Sequence, residues 1–139
     1  MDTNSKPVPT ANGDTAPYWE GAMKGQLLLQ TCDDCGSKTF LPRAVCPVCW
    51  SESRRFEPAS GRGAIHAITT VHRAPLPAFA PDCPYVVAMV ELAEGPRITM
   101  NVIGEGASGA KIGDQIEIVF EARGDMALPQ AKLVRGIGQ

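Results

Sequence analysis

Four of the five cysteines fall as two Cys-x-x-Cys pairs, Cys32/Cys35 and Cys46/Cys49, with ten residues between the pairs, while Cys83 stands apart. A disulfide framework goes with export and an even cysteine count. Here the count is odd, and the N-terminal stretch MDTNSKPVPTANGDTAP has no apolar signal core. Metal ligation explains the spacing better. Each Cys-x-x-Cys forms a short knuckle that aims two sulfurs at one point, and two knuckles close a tetrahedral shell with bonds of about 2.3 Å. Four soft thiolates favour Zn2+, with a rubredoxin-like iron site as the alternative. A shell closed by four protein sulfurs leaves no position for water or substrate, so the metal is expected to organise the fold and not to catalyse. Gly36 and Pro47 supply turn chemistry to the two knuckles, and Lys38 and Arg43 lie near enough in sequence to offset the negative charge of a tetrathiolate site.

Other reactive side chains do not assemble into a catalytic set. Cys83 sits between Asp82 and Pro84, and a neighbouring carboxylate opposes thiolate formation. His66 and His72 are six residues apart, which places them on one face of a strand, yet no Asp or Glu adjoins either of them to fix a tautomer. The P-loop, GxSxG and HExxH patterns are all missing from the sequence.

The elements that must position the cysteines are short. Residues 1–16 are polar and proline-containing and read as a flexible arm. Residues 17–24 suit a short helix with an apolar stripe of Tyr18, Trp19, Ala22 and Met23, which must dock on the ribbon or on a partner because eight residues make little stable helix alone. Strands over 26–31, 39–41 and 54–57 carry the knuckles, giving a ribbon over 26–58. The expected organisation is an arm (1–16), a helix with its zinc ribbon (17–60) and a β domain (61–139).

In that β domain, period-two alternation and turn residues mark strands at 64–71, 85–92, 97–103, 114–121 and 131–134. Pro75, Pro77, Pro81 and Pro84 forbid a central strand between the first two, leaving a mobile loop that shows Leu76 and Phe79 to solvent. Five strands with little helix is the count of an OB-type Greek-key barrel, although periodicity alone equally admits a small sandwich. The fold class is therefore mainly β: a short N-terminal helix, a rubredoxin-like zinc ribbon and a C-terminal five-stranded OB fold.

Composition narrows the function. The chain has 139 residues, of which 14 are glycine and 12 are proline, consistent with one turn-rich β domain plus a small module. With 13 Lys and Arg against 15 Asp and Glu, the formal charge is -2, without the basic excess that drives phosphate-backbone binding. A module binding single-stranded nucleic acid through its zinc ribbon and OB fold is the alternative reading, disfavoured by this charge and by few aromatics. No apolar run approaches a membrane span. The expectation is a soluble, cytoplasmic protein.

The motifs together carry a family resemblance. Tyr18-Trp19-Glu20, Cys32-x-x-Cys35-Gly36, Leu41-Pro42-Arg43, Cys46-Pro47-x-Cys49, Gly61-Arg62-Gly63, Thr70-Val71-His72-Arg73, Pro84-Tyr85-Val86-Val87 and Ile112-Gly113-Asp114 occur in the order seen in zinc-ribbon/OB-fold acyl-CoA-associated proteins, the domain of unknown function 35. The chain resembles that family over about residues 17–135. The resemblance implies a non-catalytic accessory subunit of a thiolase-like or related acyl-CoA enzyme, in settings that include acetoacetyl-CoA thiolase with hydroxymethylglutaryl-CoA synthase, steroid side-chain aldolases and aromatic acyl-CoA degradation. It also implies that the OB fold sits beside the partner's active site and helps to hold or channel a CoA ester. Such an ester needs cations for its phosphates and an apolar wall for adenine and pantetheine. Arg43 and Arg73 fall within family-matching motifs and are the expected CoA contacts, among further cations at Lys38, Arg54, Arg55 and Arg62.

Overall fold

A computed structural model describes residues 6–40 and 42–134. The chain runs through helix α1 (Ala16–Met23), a ribbon of β1 (Leu28–Cys32), β2 (Lys38–Thr39) and β3 (Arg54–Pro58), and then β4 (Arg62–Val71), β5 (Tyr85–Leu92), β6 (Arg97–Ile103), β7 (Gln115–Arg123) and β8 (Met126–Leu133). β1 is the centre of the three-stranded ribbon sheet, antiparallel to both neighbours. The five later strands form a closed barrel in the order β4-β5-β6-β8-β7. This is the expected β architecture. Part of the arm (residues 1–5), Leu41 of the Leu41-Pro42-Arg43 motif and residues 135–139 of the expected barrel domain lie outside the described residues.

The helix forms over nearly the expected residues, but its apolar stripe is different. Tyr18, Gly21 and Ala22 are buried, whereas Met23 is 59% exposed. Tyr18 meets Trp19 and Phe40 edge-on, with ring centroids 4.9 and 5.5 Å apart. Its ring shares one apolar cluster with Leu27 and Leu29 of the ribbon and with Ile98 and Met100 of β6. The helix thus packs on β1 and on β8, joining the ribbon to the barrel. Burial raises the Tyr18 phenol well above its usual titration range.

Two barrel features depart from simple alternation. In β4, pairing with β5 steps from Ile65↔Val90 to Ala67↔Met89, so His66 sits in a bulge without a register partner. The bulge shifts the core-facing parity, from Ile65 before it to Ile68 after it. His72 lies beyond the strand's end, and both histidines are exposed. They therefore do not form the expected pair on one strand face.

β8 begins at Met126, five residues before the expected start. Pro129 is accommodated because β8 pairs there with β7 alone, opposite Phe120; parallel pairing with β6 starts only at Val102↔Ala131. One residue earlier the buried Gln130 side chain substitutes for a backbone rung, its Oε1 accepting the Asn101 N–H at 2.9 Å. Pairing of β7 with β8 extends to Arg123↔Met126 across a turn at Gly124-Asp125.

Within the expected arm, Lys6 and Pro7 lie against the proline-rich loop and β7. Lys6 pairs with Asp82 at 2.6 Å and sits 5.6 Å over the Phe79 ring, and Arg123 donates to the Pro7 carbonyl at 3.4 Å. The proline-rich loop folds into a 3-10 turn over Pro77–Asp82 that buries Ala78. Phe79, expected to face solvent, is instead partly buried between these cations and Tyr85; Leu76 is exposed as anticipated.

Candidate metal centre and adjoining groove

The two knuckles have the same backbone wiring. In the first, the Cys32 N–H donates to the Ser37 carbonyl and the Gly36 N–H to the Cys32 carbonyl. In the second, the Cys46 N–H donates to the Ser51 carbonyl and the Trp50 N–H to the Cys46 carbonyl. Each knuckle closes with a left-handed residue, Gly36 at φ 76° and Trp50 at φ 67°. This conformation costs a glycine nothing and disfavours a side-chain-bearing residue.

All four sulfurs lie within 4.8 Å of one another; Cys32 Sγ to Cys49 Sγ is 3.5 Å and Cys35 Sγ to Cys46 Sγ is 3.6 Å. A tetrahedral ion with bonds of about 2.3 Å requires sulfur separations of about 3.8 Å, so the donor set fits a tetrathiolate metal. Cys32 and Cys46 are buried and Cys35 and Cys49 exposed, as suits an ion held at the tip of a ribbon. Cys32, Cys35, Cys46 and Cys49 are thus brought together as the sequence spacing requires.

The electrostatics agree with a cation site. Backbone N–H groups, foremost that of Cys35, lower the Cys32 thiol. The Cys49 N–H, then that of Val48, does the same for Cys46, down to about 6 against the opposing effect of burial. At Cys49 the Ser51 N–H favours the thiolate, but the neighbouring Cys32 sulfur, burial and the other two sulfurs outweigh it and push the thiol up to about 12. Four thiolates this close cannot all ionise without a bound cation to neutralise them.

Neither Lys38 nor Arg43, the expected countercharges, hydrogen-bonds to a sulfur among the described residues. Lys38 Nζ donates to Thr31 Oγ1 at 3.1 Å and lies 3.9 Å from Glu57. Arg43 is held through its peptide: the buried Gln30 donates Nε2 to its carbonyl and accepts its N–H. The Arg54 guanidinium, partly buried, binds the carbonyls of Arg43 and Val45 and the Thr39 hydroxyl. Gln30 and Arg54 thereby shape the segment between the knuckles. Nothing in the sequence marked Gln30, because a glutamine within an apolar strand reads as an outward-facing residue, and Arg54 was read only as a further CoA cation.

A groove of about 520 Å3 lies along the seam between ribbon and barrel. Lys38, Arg43 and Arg97 line it together with Phe40, Pro47 and Ile98. Arg73 is not among its walls. It follows Val71, which pairs with Tyr85 at the start of β5, whereas the groove borders the Pro96–Thr99 segment at the far end of that strand. Eight strand residues span on the order of 25 Å, so the two arginines occupy separate regions. Cys83 donates its thiol to the Phe79 carbonyl at 3.7 Å within the proline-rich loop.

A cysteine-ligated ribbon joined through one apolar cluster to a closed five-stranded barrel defines a zinc-ribbon/OB-fold protein. Family models bear this out. The rubredoxin-like zinc ribbon domain of ChsH2 matches residues 19–54 and the C-terminal OB-fold domain of ChsH2 matches 56–121. The chain is 38% identical over 90 residues to a DUF35 domain-containing scaffold protein of Methanothermobacter thermautotrophicus, covering 64% of this chain and 67% of the relative. It is 34% identical over 125 residues to a probable enoyl-CoA hydratase alpha subunit of Thermomonospora curvata. That match takes in 89% of this chain but only 39% of the hydratase subunit. Among solved structures, the Ltp2-ChsH2(DUF35) aldolase superposes with a TM-score of 0.80 at 31% identity, over 91% of this chain and 98% of the other. The chain belongs to the DUF35 family of ChsH2-type zinc-ribbon/OB-fold proteins. Among the described residues, no helix is long and apolar enough to cross a membrane.

Proposed function

We propose that the chain is a non-catalytic accessory subunit of a thiolase-like or related acyl-CoA enzyme, and that it helps to hold a CoA ester at the ribbon–barrel seam. The groove carries this reading. Three cations over an apolar floor match the chemistry of a CoA ester, whose phosphates take charge-assisted hydrogen bonds and whose adenine and pantetheine take apolar surface. Arg97 lies 3.5 Å from Glu91 and Lys38 is engaged by Thr31. Arg43 has no ion-pair partner among the described residues, and Gln30 fixes the peptide from which its guanidinium extends. Arg73, on the opposite end of the barrel, suits a separate contact with the partner or with the distal part of the ester.

The relatives support the subunit role. They include alpha subunits of CoA-thioester hydratases, scaffold proteins and one component of an aldolase complex. The closed sulfur shell is in keeping with a structural metal, and the chemistry then falls to the larger partner.

Affinity capture of the tagged chain from its native host, with identification of bound subunits, tests the reading. Recovery of an acyl-CoA enzyme is expected, and recovery of none overturns the proposal. Calorimetry of the resulting complex with CoA then tests the groove. Arg43→Ala is expected to weaken binding about tenfold, a loss near 1.4 kcal/mol, and unchanged affinity removes Arg43 from the site.

A further inference from the structure

The equivalent serines of the two knuckles point in opposite directions. Ser37 and Ser51 each stand two residues after the second cysteine of a pair and accept the N–H of its first cysteine through their carbonyls. Ser51 turns its hydroxyl outward, donating to Asp34 and accepting the Ser53 N–H at 3.0 Å. Ser37 turns inward. Its Oγ lies 2.7 Å from Cys35 Sγ and 3.6 Å from Cys46 Sγ, so one hydroxyl touches a sulfur from each knuckle.

Four thiolates around a divalent ion carry excess negative charge, and thiolates only accept hydrogen bonds. Two cations of the ribbon are engaged elsewhere: Lys38 with Thr31 and Glu57, Arg54 with backbone carbonyls and Thr39. The donors that reach the sulfurs are backbone N–H groups, such as that of Val48 at 3.4 Å from Cys46 Sγ, and the Ser37 hydroxyl. Apart from the cysteines, Ser37 is the only described residue whose side chain hydrogen-bonds to this cluster.

We infer that Ser37 is a positioning residue of the metal centre: its hydroxyl donates to the Cys35 and Cys46 sulfurs, withdraws charge from them and holds the two knuckles at the separation the ion requires. Partners of this kind behind metal ligands commonly change affinity by about 10- to 100-fold.

Cobalt substitution makes the sulfurs visible, because the thiolate-to-cobalt charge-transfer band moves to lower energy when the sulfurs become more electron-rich. The Co2+-loaded full chain is compared with Ser37→Ala, Ser37→Gly, Ser37→Thr and Ser51→Ala, and zinc transfer to a chromogenic chelator is followed in parallel. Both Ser37→Ala and Ser37→Gly are expected to red-shift the band and release zinc at least about tenfold faster. Ser37→Thr keeps the hydroxyl and is expected to retain the parent band, and Ser51→Ala to leave it unmoved. A parent-like band and release rate in both Ser37→Ala and Ser37→Gly overturn the inference. So does an equal shift in Ser51→Ala, which would trace the effect to knuckle packing and not to the hydroxyl.

Discussion

The Gln30 amide clamps the Arg43 peptide from both sides, its Nε2 donating to the Arg43 carbonyl at 3.1 Å and its Oε1 accepting the Arg43 N–H at 2.8 Å. Gln30 belongs to the central ribbon strand, opposite Thr39 of β2 and Phe56 of β3, and is 6% exposed. A side-chain amide thus replaces a strand neighbour for the segment that leads into the second knuckle. Gln30→Leu keeps the volume and strands that peptide, at a cost of about 1–3 kcal/mol. Urea denaturation of the metal-loaded protein measures it, and a midpoint equal to the parent's would show that the clamp carries no stability.

Metal removal should act locally. The knuckles contribute Cys32 and Cys46 to the buried set but none of the large apolar residues, whereas Leu27 and Leu29 at the ribbon's base belong to the same cluster as the barrel core. With no ion, mutual repulsion of the thiolates opposes closure of the tip. Chelation is therefore expected to abolish amide-exchange protection over 32–37 and 46–51 while β4 to β8 keep theirs. Uniform loss of protection along the chain would contradict a metal confined to organising the ribbon.

How far the sequence reached depended on the kind of signal. The cysteine spacing was legible because a tetrahedral ion demands four soft donors at a fixed separation, and the alternation of β5, β6 and β7 was legible because one face of each fills the barrel. The start of β8 was hidden by Pro129, which is tolerated only because the β6 pairing begins two residues later. The two histidines were misplaced because a bulge at His66 inserts one residue into the alternation, and no composition marks a bulge without glycine. The shaping roles of Gln30 and Arg54 were hidden for a third reason: both bind the Arg43 backbone, 13 and 11 residues away, and that relationship has no sequence period.

Trp50 occupies the left-handed position that Gly36 fills in the other knuckle, and its ring is 80% exposed. The strain of that conformation is about 1 kcal/mol for a residue with a side chain, and little buried area is lost on removing the indole. Trp50→Gly is therefore expected to raise the melting temperature of the isolated chain by a few degrees. A decrease would mean that the indole makes stabilising contacts that outweigh the strain.

Glu57 links stability to pH. The Thr31 hydroxyl, then Arg55 and Lys38, hold its carboxyl below the ordinary range, against the opposing effect of burial. A group depressed in the folded state contributes stability above its unfolded value, near 4.3, and loses it as pH falls through the folded value. Glu57→Gln removes that contribution and should flatten the acid limb of the stability curve below about pH 4.5. Added salt should flatten the parent's limb in the same direction, since Arg55 and Lys38 are solvent-accessible. An unchanged acid limb in Glu57→Gln would show that other carboxylates govern it.

Gly63 sits where the barrel closes, pairing with Leu92 of β5 on one side and with Ile116 of β7 on the other. A Cβ built there would come 2.6 Å from the Glu91 carbonyl oxygen and 3.0 Å from Val90 Cγ1. The first of these is backbone and cannot rotate away, so β4 or β5 would have to move, and both are tied into the ring on two sides. Gly63→Ala is expected to cost about 1–3 kcal/mol, the range for overpacking a filled site. Gly61 lies two residues earlier with open space at its Cβ position and a φ of 79°, so alanine there meets conformational strain alone. Thermal unfolding of the two variants side by side separates steric closure from backbone preference. The larger loss should fall on Gly63→Ala, and a loss no greater than that of Gly61→Ala would show that the barrel seam has room to spare.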